Sequence, residues 1–276
     1  MKQTKLSGVV FRILFCVLAV VALLPFAVYA KGTDAYSWYC VHVKDHKQPE
    51  IDANLSFVED LGGVYLDRTV SEDSSDRVLY LTFDAGYENG NIAKILDILK
   101  AEDVQGTFFI LENLIEKNPE LIQRMVAEGH ILANHTAHHK DMSSASDETL
   151  INEIHSLEET FKNTTGQELS HLYRPPEGRF SRQNLECLNQ NGYRTIFWSF
   201  GYPDWDNNRQ MSAERAKKII LDNIHNGEIM LLHPTSATNA AVLGEVICEL
   251  KAQGYRFATI AELPAQSNAT TSEMSL

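Results

Sequence analysis

The chain has 276 residues, 44% of them hydrophobic and 22% charged, which excludes a disordered or collagen-like polymer and allows one large domain or two small ones. Its 24 Lys and Arg stand against 37 Asp and Glu, a formal charge of −13. So acidic a chain is a poor partner for nucleic acid, where binding depends on neutralising phosphates.

Lys2, Lys5 and Arg12 precede an apolar run from Ile13 to Ala30 that ends Ala27-Val28-Tyr29-Ala30. Basic flank, apolar run and small terminal residues predict a secretory signal cleaved after Ala30. An uncleaved membrane anchor is the alternative, because the run is nearly long enough to span a bilayer. Either way the rest of the chain is expected outside the cytoplasm, with membrane contact only through this segment. Cys16 lies in the run, leaving Cys40, Cys187 and Cys248 with no CxxC spacing, which argues against a cysteine zinc site.

Residues 31–76 are mixed in character and read as an extension packed on a main domain, closed by the polar stretch 71–76. A main domain over 77–263 and a polar tail over 264–276 follow. Val78 to Phe83 is β-branched and aromatic, predicting a buried strand. Ile92, Ile95, Leu96 and Leu99 form a helix stripe, and strand 106–110 follows. Asn118-Pro119 opens a helix to about Glu128, with Asn118 as cap and Pro119 just inside. Then come strand 131–133, helix 147–161, strand 171–173, helix 182–191 stopped by Gly192 and strand 193–199. Helix 213–225, strand 228–233, helix 241–253 and strand 256–260 complete the series. About seven strand–helix alternations predict a parallel α/β fold, a barrel or an open sheet, whose site lies beyond the strand C-termini.

Five clusters of polar residues stand at those ends: Asp84; His135 with His139; Arg174; Asp204 with Trp205; and His233. A lone strand-end Asp is ordinarily a turn residue or cap, and a lone His a satisfied core or surface group. His135-Thr136-Ala137-His138-His139 would put His135 and His139 on one face if helical, a spacing that can grip zinc; His138 is the competing choice. Arg174-Pro175-Pro176-Glu177-Gly178 is a stiff turn holding an Arg at a strand end.

Together these residues resemble the polysaccharide deacetylase family, also called NodB homology or carbohydrate esterase family 4. Thr82-Phe83-Asp84-Ala85-Gly86, the His135–His139 segment, Arg174–Gly178, Asp204-Trp205 and Leu231-Leu232-His233 follow that family's motif order across roughly 77–260. Asp84–Asn91, Tyr36-Ser37-Trp38 and Gln48-Pro49-Glu50 are similar to the delta-lactam-biosynthetic de-N-acetylases of that family.

The resemblance implies a distorted (β/α) barrel and hydrolysis of the acetamide of N-acetylmuramic acid in spore-cortex peptidoglycan, leading to muramic delta-lactam. It implies Asp84 as general base, His233 as the acid for the leaving amine, Arg174 orienting Asp84 and Asp204 holding His233. Trp205, Leu231 and Tyr87 would bind substrate, and His135 and His139 a divalent metal, zinc by preference. The family's third metal ligand is an Asp where this chain has Ala85, so the metal is expected to be weakly held. The partner would be a peptidoglycan glycan strand, and the enzyme a monomer. Two rivals are an N-acetylglucosamine deacetylase of wall glycan or chitin and a catalytically silent glycan-binding relative. A glycosidase would need two convergent carboxylates.

Overall fold

The computed structural model describes residues 34–263; the apolar run 13–30 and the tail 264–276 lie outside the described residues. In chain order, β1 (Tyr36–Ser37), α1 (Phe57–Asp60) and β2 (Gly63–Val64) precede the long strand β3 (Arg77–Ala85). Next come α2 (Ile92–Ala101), β4 (Thr107–Ile110), α3 (Glu112–Lys117), α4 (Pro119–Ala127), β5 (Ile131–Asn134) and α5 (Asp147–Thr165). β6 (Ser170–Tyr173), β7 (Arg179–Phe180), α6 (Arg182–Gln190), β8 (Arg194–Ile196) and β9 (Phe200–Gly201) lead to α7 (Ala213–Asn223). β10 (Glu228–Leu232), α8 (Ala237–Ala252) and β11 (Tyr255–Ala258) follow.

Alternate residues of β3 divide between two apolar layers, as a pleated strand requires. Leu79, Leu81, Phe83 and Ala85 enter the cluster shared with α2, α4 and α8, while Val78 and Tyr80 enter a second cluster with Phe109, Ala133, Ile196 and Ile229. Full burial of each Leu or Phe contributes roughly 1.5–3 kcal/mol. Thr82 and Asp84 continue the Val78–Tyr80 face, so the pleat that buries the core also carries Asp84 to the strand's end.

Eight of the sheet's nine strands run in the order β2-β8-β6-β5-β4-β3-β10-β9, all pairs parallel. β11 pairs with Arg77–Tyr80 of β3, and β4 with Thr82–Ala85. β1 pairs antiparallel with β7 in a separate two-stranded sheet. This is the distorted (β/α) barrel that the family resemblance implies, where strand–helix alternation alone left a barrel or an open sheet. Each of the seven expected strands has a counterpart; the one expected over 193–199 is only Arg194–Ile196 (β8), with β9 just beyond the expected range, and β2 joins at the edge.

Most helices begin where the sequence places them. Ser146, Ser181, Ser212 and Ser236 each accept a backbone N–H at their helix's start. Asn118 precedes α4 but makes no side-chain capping bond, so Pro119 alone marks that start. α3 was not anticipated. Cys40 and Cys248 are free thiols. Among the described residues no helix is long and apolar enough to cross a membrane.

The end of the barrel opposite the site holds a buried polar network. Ser199 Oγ lies 2.8 Å from His225 Nε2, and His225 Nδ1 lies 3.0 Å from the Asn223 carbonyl and 3.1 Å from Glu228 Oε2. Burial holds the His225 pKa down at about 4, so the ring is neutral. Burial raises Glu228 well above the usual carboxylate range, against the hydrogen bond from the His225 backbone N–H. Glu228 therefore folds as the neutral acid. A folded pKa above the unfolded one gives stability that is complete below the unfolded value and is lost as pH rises towards the folded one, at about 1.4 kcal/mol per pH unit. Glu228→Gln, neutral at every pH, is expected to raise the thermal midpoint over wild type at pH 8 and to change it little at pH 4; a pH series of melting curves measures this.

Candidate active site

The C-terminal ends of the strands surround a cavity of about 880 Å³. Asp84, His135, His139, Trp205, Leu231, Tyr87 and His233 all line it. Arg174 and Asp204 sit behind, each bonded to one of the lining groups.

Arg174 immediately follows β6 and is fully buried. Its Nη1 donates to Asp84 Oδ1 at 2.9 Å, its Nε to the Ile196 carbonyl at 3.1 Å and its Nη2 to the Phe197 carbonyl at 3.1 Å. The guanidinium lies 4.1 Å from the centroid of the Phe109 ring. Burial raises the Asp84 pKa, but the neighbouring positive charges of Arg174 and His233, with the Arg174 hydrogen bond, outweigh it and hold the group below its ordinary value. Asp84 is thus an ionised carboxylate whose Oδ2 remains on the cavity side, 3.5 Å from His135 Nε2.

His233, just past β10, is the opposite case. Burial lowers its pKa, but Asp204 outweighs it through a hydrogen bond and its charge, and the net shift is upward. Asp204 Oδ1 lies 2.7 Å from His233 Nδ1, and Oδ2 accepts from the His233 backbone N–H at 2.8 Å and from Asn239 Nδ2 at 2.6 Å. Both Asp204 oxygens are occupied and the residue is buried. It therefore cannot serve as the second carboxylate of a glycosidase. The Trp205 ring, 60% exposed, stands 6.2 Å from His233.

The His135–His139 segment is a loop, not the helix turn considered from sequence. Thr136 and His139 take left-handed backbone, with φ of 69° and 54°. Asn134 Oδ1 accepts from Thr136 N at 2.9 Å, and Thr136 Oγ1 from His139 N at 3.0 Å. The compact loop brings the His135 and His139 rings to 4.9 Å, edge to face. His138 turns away and pairs with Glu153 at 3.0 Å, so His139 and not His138 lines the cavity beside His135. His135 Nδ1 lies 2.8 Å from the Arg174 carbonyl, so it carries the proton and leaves the Nε2 lone pair free on the cavity side. Burial lowers the His135 pKa to about 4, keeping the ring neutral as a ligand must be.

The two imidazoles suit a divalent metal as a pair. Ala85 is fully buried in the larger apolar cluster and supplies no donor. Among the described residues no group of three His, Cys, Asp or Glu is arranged to hold a metal ion. A bound metal would polarise a carbonyl there.

The Tyr87–Asn91 stretch has a structural explanation. Glu88 accepts from the Gly90 and Ile92 backbone N–H groups, at 2.6 and 3.1 Å, and so caps α2. Asn89 and Asn91 both donate to the Thr235 carbonyl, tying this loop to the one after His233. Gly90, at φ 90°, allows the turn. Tyr87 is left exposed on the rim, its hydroxyl accepting from Asn207 at 2.7 Å.

Several lining residues were not singled out from sequence: Tyr39 and Cys40 from the N-terminal segment, Leu111, Trp198, and Glu177 at a left-handed φ of 56°. Asn239 was missed too, because an Asn on a helix carries no signal of its partner.

A buried Arg–Asp pair faces a His–Asp pair across a solvent-open cavity at the C-terminal end of a (β/α) barrel, and this defines a polysaccharide deacetylase. The family model for polysaccharide deacetylases matches residues 71–196. The chain belongs to that family, hydrolases acting on amide carbon–nitrogen bonds. It is 37% identical to the peptidoglycan-N-acetylmuramic acid deacetylase PdaA of Bacillus subtilis, over 85% of this chain and 88% of that one. The structure of that enzyme covers 84% of this chain and 97% of its own, at 36% identity and a TM-score of 0.79. A 30.6 kDa protein of Geobacillus stearothermophilus is 40% identical over 92% of this chain and 94% of its own. A peptidoglycan-N-acetylglucosamine deacetylase of Bacillus cereus is 32% identical over 69% of this chain and 89% of its own.

Asp204→Asn removes the charge that keeps His233 protonated while preserving shape. Burial then dominates, and the alkaline limb of the pH–rate profile is expected to move to lower pH by about one unit or more. A profile of initial rates from pH 5 to 10 for both proteins measures the shift.

Proposed function

We propose that the protein hydrolyses the acetamide of N-acetylmuramic acid in peptidoglycan, outside the cytoplasm. The observation that carries this reading is the division of labour in the cavity: one carboxylate whose ionised form is favoured by a buried Arg, one imidazole whose protonated form is favoured by a buried Asp. Amide hydrolysis needs those two states at once, a base for water and an acid for the departing amine.

Asp84 Oδ2 takes the proton of the attacking water while Arg174 holds Oδ1 and the orientation of the group. His233 delivers its proton to the leaving nitrogen, and Asp204 keeps the ring turned and charged for that transfer. Leu231 and Trp205 receive the acetyl methyl and the sugar, with Tyr87 at the rim. His135 and His139 would hold the divalent metal, zinc by preference, with waters completing its shell.

The likeness to PdaA and the Asp84–Asn91 sequence favour muramic acid over N-acetylglucosamine, and the freed amine would close to the delta-lactam in spore cortex. The Bacillus cereus relative supports N-acetylglucosamine as the competing substrate. A silent binding protein would need neither the ionised base nor the protonated acid.

Purified peptidoglycan incubated with the enzyme and digested to muropeptides should lose acetyl from muramic acid by tandem mass spectrometry, and Asp84→Asn should release none. Acetyl lost only from glucosamine would reassign the substrate; no loss from either sugar would remove the enzyme reading. Ala85→Asp tests whether position 85, packed in the apolar cluster, can supply the anionic donor that the family resemblance places there: zinc titration should then show affinity about tenfold or more above wild type. Unchanged affinity would mean that position 85 does not face the metal.

A further inference from the structure

The acid–base machinery uses nothing from the N-terminal segment, yet that segment forms part of the cavity wall. Trp38 donates its indole N–H to the Trp198 carbonyl at 2.9 Å and its backbone N–H to the Gly178 carbonyl at 2.8 Å, and stacks on Phe197 with centroids 4.4 Å apart. Four residues on, His42 Nε2 lies 3.0 Å from the Gly201 carbonyl and the ring stacks on Phe200 at 5.2 Å. Residues 38–42 are therefore pinned at both ends. One end sits on the Arg174 turn and the other on the strand leading to Asp204.

Tyr39 and Cys40 line the cavity between those anchors. The Tyr39 hydroxyl donates to Asp52 Oδ2 at 2.8 Å, which holds the ring in place although half of the residue is exposed. Burial pushes the Cys40 thiol up to about 11, so that neighbour is a neutral wall and not a nucleophile.

Four large hydrophobic side chains are exposed among the described residues: Tyr39, Val41, Tyr87 and Trp205. Tyr39, Tyr87 and Trp205 line this one cavity, and Val41 is two residues from Tyr39. Exposed apolar groups gathered at one place mark a binding surface. Pyranose rings present apolar C–H faces that pack on aromatic rings. The cavity, at about 880 Å³, lies near the top of the roughly 300–1,000 Å³ range of ligand pockets. A single acetylated aminosugar is smaller than the ligands such pockets hold.

We propose that Tyr39 is a stacking platform for a sugar next to the one being deacetylated, so that the segment Trp38–His42 makes the enzyme prefer glycan chains to single sugars. This rests on the reading of the site as a glycan-strand deacetylase and names how the strand is held. Tyr39 acts on binding and touches no reacting atom.

The test uses the full chain and two probes, the dimer and the tetramer of N-acetylglucosamine, with affinities measured by calorimetry. Wild type should bind the tetramer more tightly. Tyr39→Ala should lose about tenfold of that preference, the loss typical when a binding aromatic is truncated. Tyr39→Phe should keep it, because the ring remains when the Asp52 bond is gone. On glycan strands Tyr39→Ala should raise KM at constant kcat, whereas damage to the fold would lower kcat as well. A wild type indifferent to chain length overturns the proposal, as does a Tyr39→Ala variant that retains the preference or loses dimer and tetramer affinity equally. Tyr39-dependent oligomer binding without acetyl release from peptidoglycan would instead overturn the proposed reaction and leave this inference standing.

Discussion

The guanidinium of Arg174 is buried to zero exposure, and a buried cation costs several kcal/mol unless its donors are satisfied. Its donors go to the carbonyls of Ile196 and Phe197 and to Asp84, its flat face to Phe109, and its own carbonyl to His135. The ends of β3, β4, β6 and β8 are thereby referred to one planar group, together with the loop that carries the two histidines. Lysine, a point charge without a fork, could not satisfy these partners together. The same contacts that make the burial tolerable keep Asp84 ionised, so stability and chemical readiness come from one arrangement.

Two aspartates at strand ends receive different duties from their surroundings. Asp84 has one oxygen engaged by Arg174 and the other on the cavity side. Asp204 has both oxygens engaged, by His233 and Asn239, and acts only through the imidazole. Environment rather than residue type separates the group that takes a proton from the group that keeps one in place. The buried Glu228 at the far end of the barrel shows the third possibility, a carboxyl with no cation beside it that stays protonated.

Loops around the cavity are tied to one another and not only to their own strands. Asn89 and Asn91 reach the carbonyl of Thr235, Asn207 reaches Tyr87, and Trp38 and His42 reach Gly178 and Gly201. Such cross-links keep exposed aromatics such as Tyr39 and Tyr87 at defined places on the rim.

The sequence by itself determined the alternation of β3, the apolar stripes of α2 and α5, and the order of Asp84, His135, Arg174, Asp204 and His233 along the chain. These are local patterns, set by the two-residue period of a strand, the 3.6-residue period of a helix and the turn chemistry of Pro and Gly. It did not reveal α3, a six-residue helix too short to show a stripe, or the left-handed loop that sets His139 rather than His138 beside His135 in the cavity. Nor did it reveal the strand order that sets β3 between β4 and β10. Tertiary structure alone decided that Tyr39 joins the cavity, that Asn239 supports Asp204, and that the two aspartates differ. Each depends on contacts between residues far apart in sequence, and burial, which sets both charge state and orientation, exists only once those contacts close.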